Sequence, residues 1–339
     1  MIKIEENVSL SAYNTFGIDA KARYFCSINS EDQLLELLET PEYKNMPHLI
    51  LGGGSNILFT KDYEGLVIKV NLKGIEIKSR TANTISVNAK SGEVWHEFVM
   101  YCVHEQWGGI ENLSLIPGTM GAAPIQNIGA YGVEIKDVVE CVEGIDLQTG
   151  KRKTLTNAEC YFGYRESIFK HELKENFFIS SVTLTLTTNN HKLNTNYGAI
   201  TTILDEKKKS PSIETISDAV INIRRSKLPD PAVIGNAGSF FKNPTIRLDH
   251  YNEIKKTHPT IPGYPSVNQY VKVPAGWLIE QCDWKGKRFN DVGVHANQAL
   301  VLVNYGNGSG EEIFQLAKKI SASVSTTFHI DLTLEVNII

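Results

Sequence analysis

The sequence predicts a mixed α+β protein of two or three domains, and three observations carry that prediction. At 339 residues the chain is long for one hydrophobic core. Capped amphipathic segments and β-branched runs are mixed along its first half. A polar stretch from Thr187 to Asn196 then precedes a C-terminal third with a strand and a helix of its own.

Ser30 with Gln33 forms a capping-box pattern ahead of Leu34, Leu35, Leu37 and Leu38, which predicts a helix from about residue 31 to Thr40. Pro41 and Pro47 bracket a turn, and the apolar run His48-Leu49-Ile50 reads as a buried strand. Leu66–Val70 and Thr84–Asn88 read as further strands. Gly92 to Glu105 carries Val94, Phe98 and Tyr101 on one face and reads as a helix that stops before Trp107-Gly108-Gly109. Gly144 to Lys151 imitates a phosphate-binding loop but has one intervening residue too many, so a hairpin turn through Thr149-Gly150 is the better reading. Phe178-Ile179 and Val182–Leu186 make another strand. The principal domain boundary is expected between Asn196 and about residue 215. Ala299–Val303 reads as a strand, and the loop Asn304–Gly310 leads into an amphipathic helix from Glu311, with Ser309 or Gly310 near its cap.

Composition excludes several classes of function. Apolar residues at 42% and charged residues at 21% are ordinary for a soluble globular chain. A formal charge of −4 and a pI near 6.2, without a Lys/Arg stripe, argue against nucleic-acid binding. Lys207-Lys208-Lys209 is a solvated loop or helix end. No apolar run is long enough to span a membrane, and Met1-Ile2-Lys3-Ile4-Glu5-Glu6 has no signal-like apolar region. Five scattered cysteines without a Cys-x-x-Cys fit free thiols in a reducing cytoplasm. The histidines form no metal-ligand spacing, so no metal is expected.

Gly52-Gly53-Gly54-Ser55-Asn56 empties the strand at His48 into a loop almost without side chains. Such a loop suits a pyrophosphate, although Ile57 stands where a dinucleotide fingerprint needs its third glycine, and a tight turn explains the run as well. Ile116-Pro117-Gly118-Thr119-Met120-Gly121-Ala122-Ala123-Pro124, continuing through Gln126-Asn127-Ile128-Gly129-Ala130-Tyr131-Gly132, is long and bare for a mere loop. It suits close backbone contact with a large flat ligand. Two such segments suit a dinucleotide bound across a cleft.

Three single residues add chemistry. Arg165, in Tyr164-Arg165-Glu166-Ser167, suits bidentate carboxylate recognition, although a local pair with Glu166 is the simpler reading of the motif alone. Ser239 lies among glycine and aromatics in Asn236–Pro244. It is either a dry proton donor or a turn serine bonded to backbone, and the segment is not a hydrolase elbow. Glu335, in the β-rich tail Leu332–Ile339, faces water by default; in a closed site it would be a proton donor.

Taken together these segments resemble the UDP-N-acetylenolpyruvoylglucosamine reductase family. The likeness runs through Asn14–Gly17, Leu51–Phe59, Ile116–Gly132, Gly163–Phe169, Gly235–Pro244, Ala275–Ile279 and Val294–Val303, and the order and spacing of the set make it specific. The insertion ending Asn196-Tyr197-Gly198 is similar to the type I branch, in which a loop tyrosine folds over the substrate. The resemblance implies an α+β FAD-binding fold of the vanillyl-alcohol-oxidase/PCMH type in two subdomains, residues 1–71 and 72–214. It adds an α+β substrate-binding domain at 215–339, its tail packing back on the FAD domain. It implies a cytoplasmic monomer that uses FAD, with NADPH as co-substrate, to reduce UDP-N-acetylglucosamine enolpyruvate to UDP-N-acetylmuramate in peptidoglycan synthesis.

Residue by residue, Arg165 matches the arginine that polarises the substrate carboxylate, Ser239 the proton donor and Glu335 the second catalytic residue. Gly52, Gly53, Gly54, Ser55, Asn56, Pro117, Gly118, Gly121, Ala122, Asn127 and Gly129 are the expected cofactor contacts. Tyr197, Lys227, Asn243, Tyr264, Lys285 and Gln298 fall where the family grips the UDP-sugar. The chain departs from the family pattern at Leu334 and Asn337, where Pro and Arg are usual, and at Asn297, where Gln is common. A flavin oxidase of the same broad fold, and a sugar-nucleotide-binding protein that has lost its flavin, are the competing readings.

Overall fold

In the computed structural model residues 2–339 are described, and the chain divides into two compact units. The first holds the residues up to Val8, Ala22–Gly53 and Glu64–Ser226; the second holds Ser9–Lys21, Gly54–Tyr63 and Lys227–Ile339. The expected helix after Ser30 is Glu31–Leu38, its N-cap Ser30 accepting the Gln33 N–H. Its buried leucines Leu34, Leu37 and Leu38 pack with Cys26, Ile28, Leu66, Ile68 and Phe178. This is the apolar-face burial that stabilises most helices of such length. The stretch between Pro41 and Pro47, expected to be a turn, is instead a short helix, Pro41–Asn45. Thr40 caps it and proline occupies its first turn, where the missing N–H costs nothing. The strands Glu5–Ser9, Lys21–Ile28, Tyr63–Val70 and His48–Leu51 form one sheet in that order, the last pair parallel.

Five antiparallel strands make the larger sheet of this unit, in the order Arg152–Thr156, Val139–Asp146, Phe177–Thr187, Thr84–Lys90, Ile75–Arg80. Asp146 closes the expected hairpin by accepting the Thr149 N–H and hydroxyl. One face of the sheet packs on helix Trp95–His104 through Val87, Val182, Leu184, Trp95, Phe98 and Cys102. Trp95 is fully buried and still satisfied, because its indole N–H donates to Leu113 O at 2.9 Å. The stretch from Gly198 to Lys227 forms two helices, Gly198–Glu206 and Ile213–Lys227, joined by a core of Ile200, Leu204, Ile216, Val220 and Ile223.

In the second unit Gly235–Ser239, Val301–Asn304, Val292–Val294 and Arg288–Phe289 make an antiparallel sheet in that order. A smaller sheet joins Thr245–Arg247, Tyr270–Lys272 and Tyr264–Pro265. Helix Gly310–Phe328 begins where the sequence places it, with a full capping box between Ser309 and Glu312. The tail strand Asn337–Ile338 runs parallel to Ile57–Leu58. The five cysteines are free thiols, and burial pushes those of Cys26, Cys102 and Cys160 well up, which makes them unreactive. Among the described residues no helix is long and apolar enough to cross a membrane.

Gly310 gives the fold its first test. A Cβ there would meet the Phe59 carbonyl group, its carbon at 2.7 Å. Alanine is the better helix former by about 1 kcal/mol, yet Gly310→Ala is expected to lower the thermal midpoint, because backbone rather than a flexible side chain blocks the methyl. A midpoint that rises would show that the helix start is not seated on Phe59.

Candidate functional site

The strand His48–Leu51 delivers Gly52 and Gly53 against the second glycine-rich segment. A Cβ on Gly53 would lie 3.0 Å from Gly118 Cα, and one on Gly52 would lie 2.7 Å from Thr119 Oγ1. Gly121 is pressed in the same way on Ser91, whose backbone oxygen accepts the Gly121 N–H at 2.9 Å. The two bare segments therefore need their glycines first to reach each other. What remains for a ligand is the donor set. Among the described residues the N–H groups of Gly53, Gly118 and Thr119 have no acceptor, and the buried Ser91 Oγ is without a partner. Lys69 donates its ammonium to Gly52 O, and burial, with Lys73 adding to it, lowers that ammonium's pKa. Unsatisfied backbone N–H groups beside a lysine fit an anionic phosphate group, so this cradle suits the pyrophosphate of FAD.

Arg165 is held rigidly in the same unit. Its guanidinium donates to Asn127 O at 3.2 Å and to Gly129 O, and it lies 5.4 Å from the Tyr164 ring centroid. The local carboxylate Glu166 is engaged by His171 at 2.9 Å and Lys170 at 3.8 Å. Asn127 is fully buried and its side chain is spent on the protein, donating to Glu134 and Gly163 O and accepting from Lys136 N. Tyr197 meets Tyr131 edge to face, ring centroids 5.0 Å apart.

In the second unit Gly54 is fixed by φ +64° and by Tyr13, whose backbone fills its side-chain space. Asn56 Nδ2 donates to Glu335 O at 3.2 Å, and Asn337 returns two bonds, from N at 3.1 Å and from Nδ2 at 2.9 Å, to Asn56 O. Asn337 thus has a task of its own where the family usually has arginine. Glu335 N donates to Phe240 O at 2.9 Å, so the tail runs along the chain at the residue after Ser239, and both Ser239 and Glu335 are half-buried. A bulge sets Ser239: Asn236 pairs with Val303 but Ser239 with Val301, and Gly238 sits at φ +69° between them.

Three of the expected sugar-nucleotide residues gather on helix Ala275–Gln281. Asn243 Oδ1 accepts the Ala275 N–H at 2.9 Å, a Cβ on Gly276 would meet Gln298 Oε1 at 3.2 Å, and Lys285 pairs with Glu280 at 2.8 Å. Tyr264 stands exposed on the small sheet, and Lys227 opens the last segment of the unit, Lys227–Ile339.

Sequence reasoning missed Lys69, His96 and Arg224. His96 Nδ1 accepts the Leu115 N–H at 2.9 Å, and Arg224 Nε donates to Leu115 O at 3.2 Å. The adjacent pair Arg224-Arg225, in a segment of helical pattern, was the available signal; in the fold Arg224 is turned inward and Arg225 is exposed. Burial lowers the His96 pKa, Arg225 and Arg224 lower it further, and Glu97 opposes them. A histidine depressed in the fold contributes its full stability above the unfolded value of about 6.5, and loses it as pH falls through the folded value. His96→Gln retains an acceptor for Leu115, so the wild type is expected to lose thermal stability relative to this variant between pH 7 and pH 5. Parallel melting curves across that window would refute the assignment.

Comparison with known proteins identifies the family. Residues 22–156 match the family model described as an FAD binding domain, and residues 230–339 match that of the UDP-N-acetylenolpyruvoylglucosamine reductase C-terminal domain. The chain is 51% identical over 339 residues to UDP-N-acetylenolpyruvoylglucosamine reductase of Flavobacterium johnsoniae, covering 100% of both chains. It is 49% identical to that of Amoebophilus asiaticus, covering 99% of both. The crystal structure of the Thermus caldophilus reductase superposes with a TM-score of 0.69 at 21% identity, over 100% of this chain and 99% of that one, which establishes the fold. The chain belongs to the UDP-N-acetylenolpyruvoylglucosamine reductase family.

Proposed function

We propose that this protein is the flavoenzyme that reduces the enolpyruvyl group of UDP-N-acetylglucosamine enolpyruvate to give UDP-N-acetylmuramate, with NADPH as reductant. In this reading residues 1–214 hold FAD and residues 215–339 hold the sugar nucleotide. The observation that supports it is the bond from Glu335 N to Phe240 O, which runs the main chain of Glu335 along the residue that follows Ser239. The name shared by relatives identical at 49–51% over almost the whole chain supplies the substrate class.

FAD, when bound, supplies the hydride relay between NADPH and the terminal enolpyruvyl carbon. The residues of the chain answer the charge this creates. Negative charge appears on the substrate α-carbon and spreads into its carboxylate. Arg165 faces that charge with a guanidinium already oriented by two carbonyls, so little reorganisation is needed. A protonated Glu335 adds a second donor, each such donor contributing about 3–4 kcal/mol. Ser239 delivers the proton to the α-carbon and so sets the new stereocentre. A hydroxyl is a weak acid, and it serves because the enolate carbon is strongly basic.

Two measurements test the reading. The purified protein is expected to be yellow, to bleach with NADPH, and to recolour when the enolpyruvyl sugar nucleotide is added. Ser239→Ala should bleach normally but recolour slower by roughly 10²–10⁴-fold; equal loss of both phases would remove Ser239 from the chemistry. Gly53→Ala should lower flavin content, because its methyl forces the two glycine segments apart. Gly198→Ala, where a Cβ meets nothing within 4 Å, should keep full flavin. Equal flavin in both variants would displace the cofactor from the Gly53–Gly118 cradle.

A further inference from the structure

Leu115 stands immediately before the segment Ile116–Gly121, and its backbone is left-handed, with φ +58°. Leucine adopts that region poorly and glycine adopts it freely. The side chain is only half-buried, so the core does not demand leucine here. The peptide groups of Leu115 are instead gripped from both sides: His96 Nδ1 takes its N–H and Arg224 Nε reaches its carbonyl. The grip is anchored at both ends. His96 lies in the first turn of the helix Trp95–His104, and Arg224 lies in the last turn of Ile213–Lys227. Arg224 also hydrogen-bonds Tyr131, the ring that meets Tyr197. Three residues past Leu115, Gly118 makes the close approach to Gly53.

We propose that His96 and Arg224 are positioning residues that clamp the Leu115 peptide in its left-handed conformation and thereby hold the Ile116–Gly121 segment in the shape that receives FAD. The proposal rests on the reading of that segment as a cofactor cradle. The clamp needs a neutral His96, since Nδ1 must accept; Arg224, Arg225 and Glu97 are the charged groups that face it. It touches no reacting atom.

The decisive experiment is a rescue, read as FAD affinity of the full-length protein by flavin fluorescence. His96→Ala is expected to raise the FAD dissociation constant about tenfold, the equivalent of about 1.4 kcal/mol. Adding Leu115→Gly to that variant should bring the constant back to within about threefold of wild type, because glycine holds the left-handed form without a clamp. His96→Gln, which keeps an acceptor, should stay near wild type and guards against a trivial folding defect. An unchanged affinity in His96→Ala, or a double variant no better than His96→Ala, would overturn the clamp. Amide exchange separates this from failure of the cofactor reading. If the wild type bound no FAD, the cradle assignment would fall, and with it the clamp's role in receiving the cofactor. Loss of Leu115 N–H protection in His96→Ala would still be required of the clamp itself, and retained protection would refute it.

Discussion

Two stretches of backbone meet at Gly53 and Gly118 with no side chain between them, and the first unit's candidate site depends on that approach. A single added methyl at Gly53 would lie 3.0 Å from the opposite Cα, and neither partner is a flexible side chain that could yield. The contact has a second consequence. Loops packed through backbone cannot satisfy each other's N–H groups the way strands do, so donors at Gly53, Gly118 and Thr119 are left for something else. Gly53 is exposed and Gly118 half-buried, so these donors can point at an approaching ligand, and backbone N–H groups of this kind suit an anionic phosphate. The triple glycine is thus neither a plain turn nor a dinucleotide fingerprint. Its bareness serves close packing, and in the proposed reading its donors face the cofactor phosphate.

The second unit solves a different problem with the same economy. Ser239 and Glu335 are far apart in sequence, and the tail is secured through main-chain bonds: Lys242 N to Thr333 O, Glu335 N to Phe240 O, and the parallel pairing of Asn337–Ile338 with Ile57–Leu58. Main-chain bonds fix where a residue stands without using its side chain. Leu334 can therefore stand where the family usually has proline, whereas Asn337 adds a side-chain bond to Asn56 O to the pairing of the tail.

Much of this was legible in the sequence wherever the signal was local. The caps at Ser30 and Ser309, the hairpin at Thr149-Gly150 and the strand at Val301 all follow from residues within a few positions of one another. The helix Pro41–Asn45 stands where two bracketing prolines predict a turn, because proline is favoured at a helix start. Helix Gly198–Glu206 escaped notice because Tyr197 gives it no side-chain cap and a polar run precedes it. The site motifs were visible as glycine, arginine and serine patterns, but their bonds were not. Arg165 is held by carbonyls at Asn127 and Gly129, and Leu115 by side chains at 96 and 224, and no local pattern encodes such pairs.

The left-handed residues of the first unit's loops show why such distant pairs exist. Leu115, Asn127, Tyr131 and Arg165 all have positive φ, a conformation that costs a residue with a Cβ roughly 1–2 kcal/mol. In each case a side-chain donor takes the carbonyl: Arg224 at Leu115, Arg165 at Asn127, Asn112 at Tyr131 and Lys170 at Arg165. A loop that must leave one face open to a ligand cannot be held by burying apolar side chains on all sides. It can be held by charge-assisted or amide bonds to its main chain, which act from one side and leave the other clear. Arg165 plays both parts, holding Asn127 while itself being held by Lys170. The residue assigned to the substrate carboxylate is in this way built into the frame that shapes the loop, which explains how a long flexible side chain can present a fixed guanidinium plane.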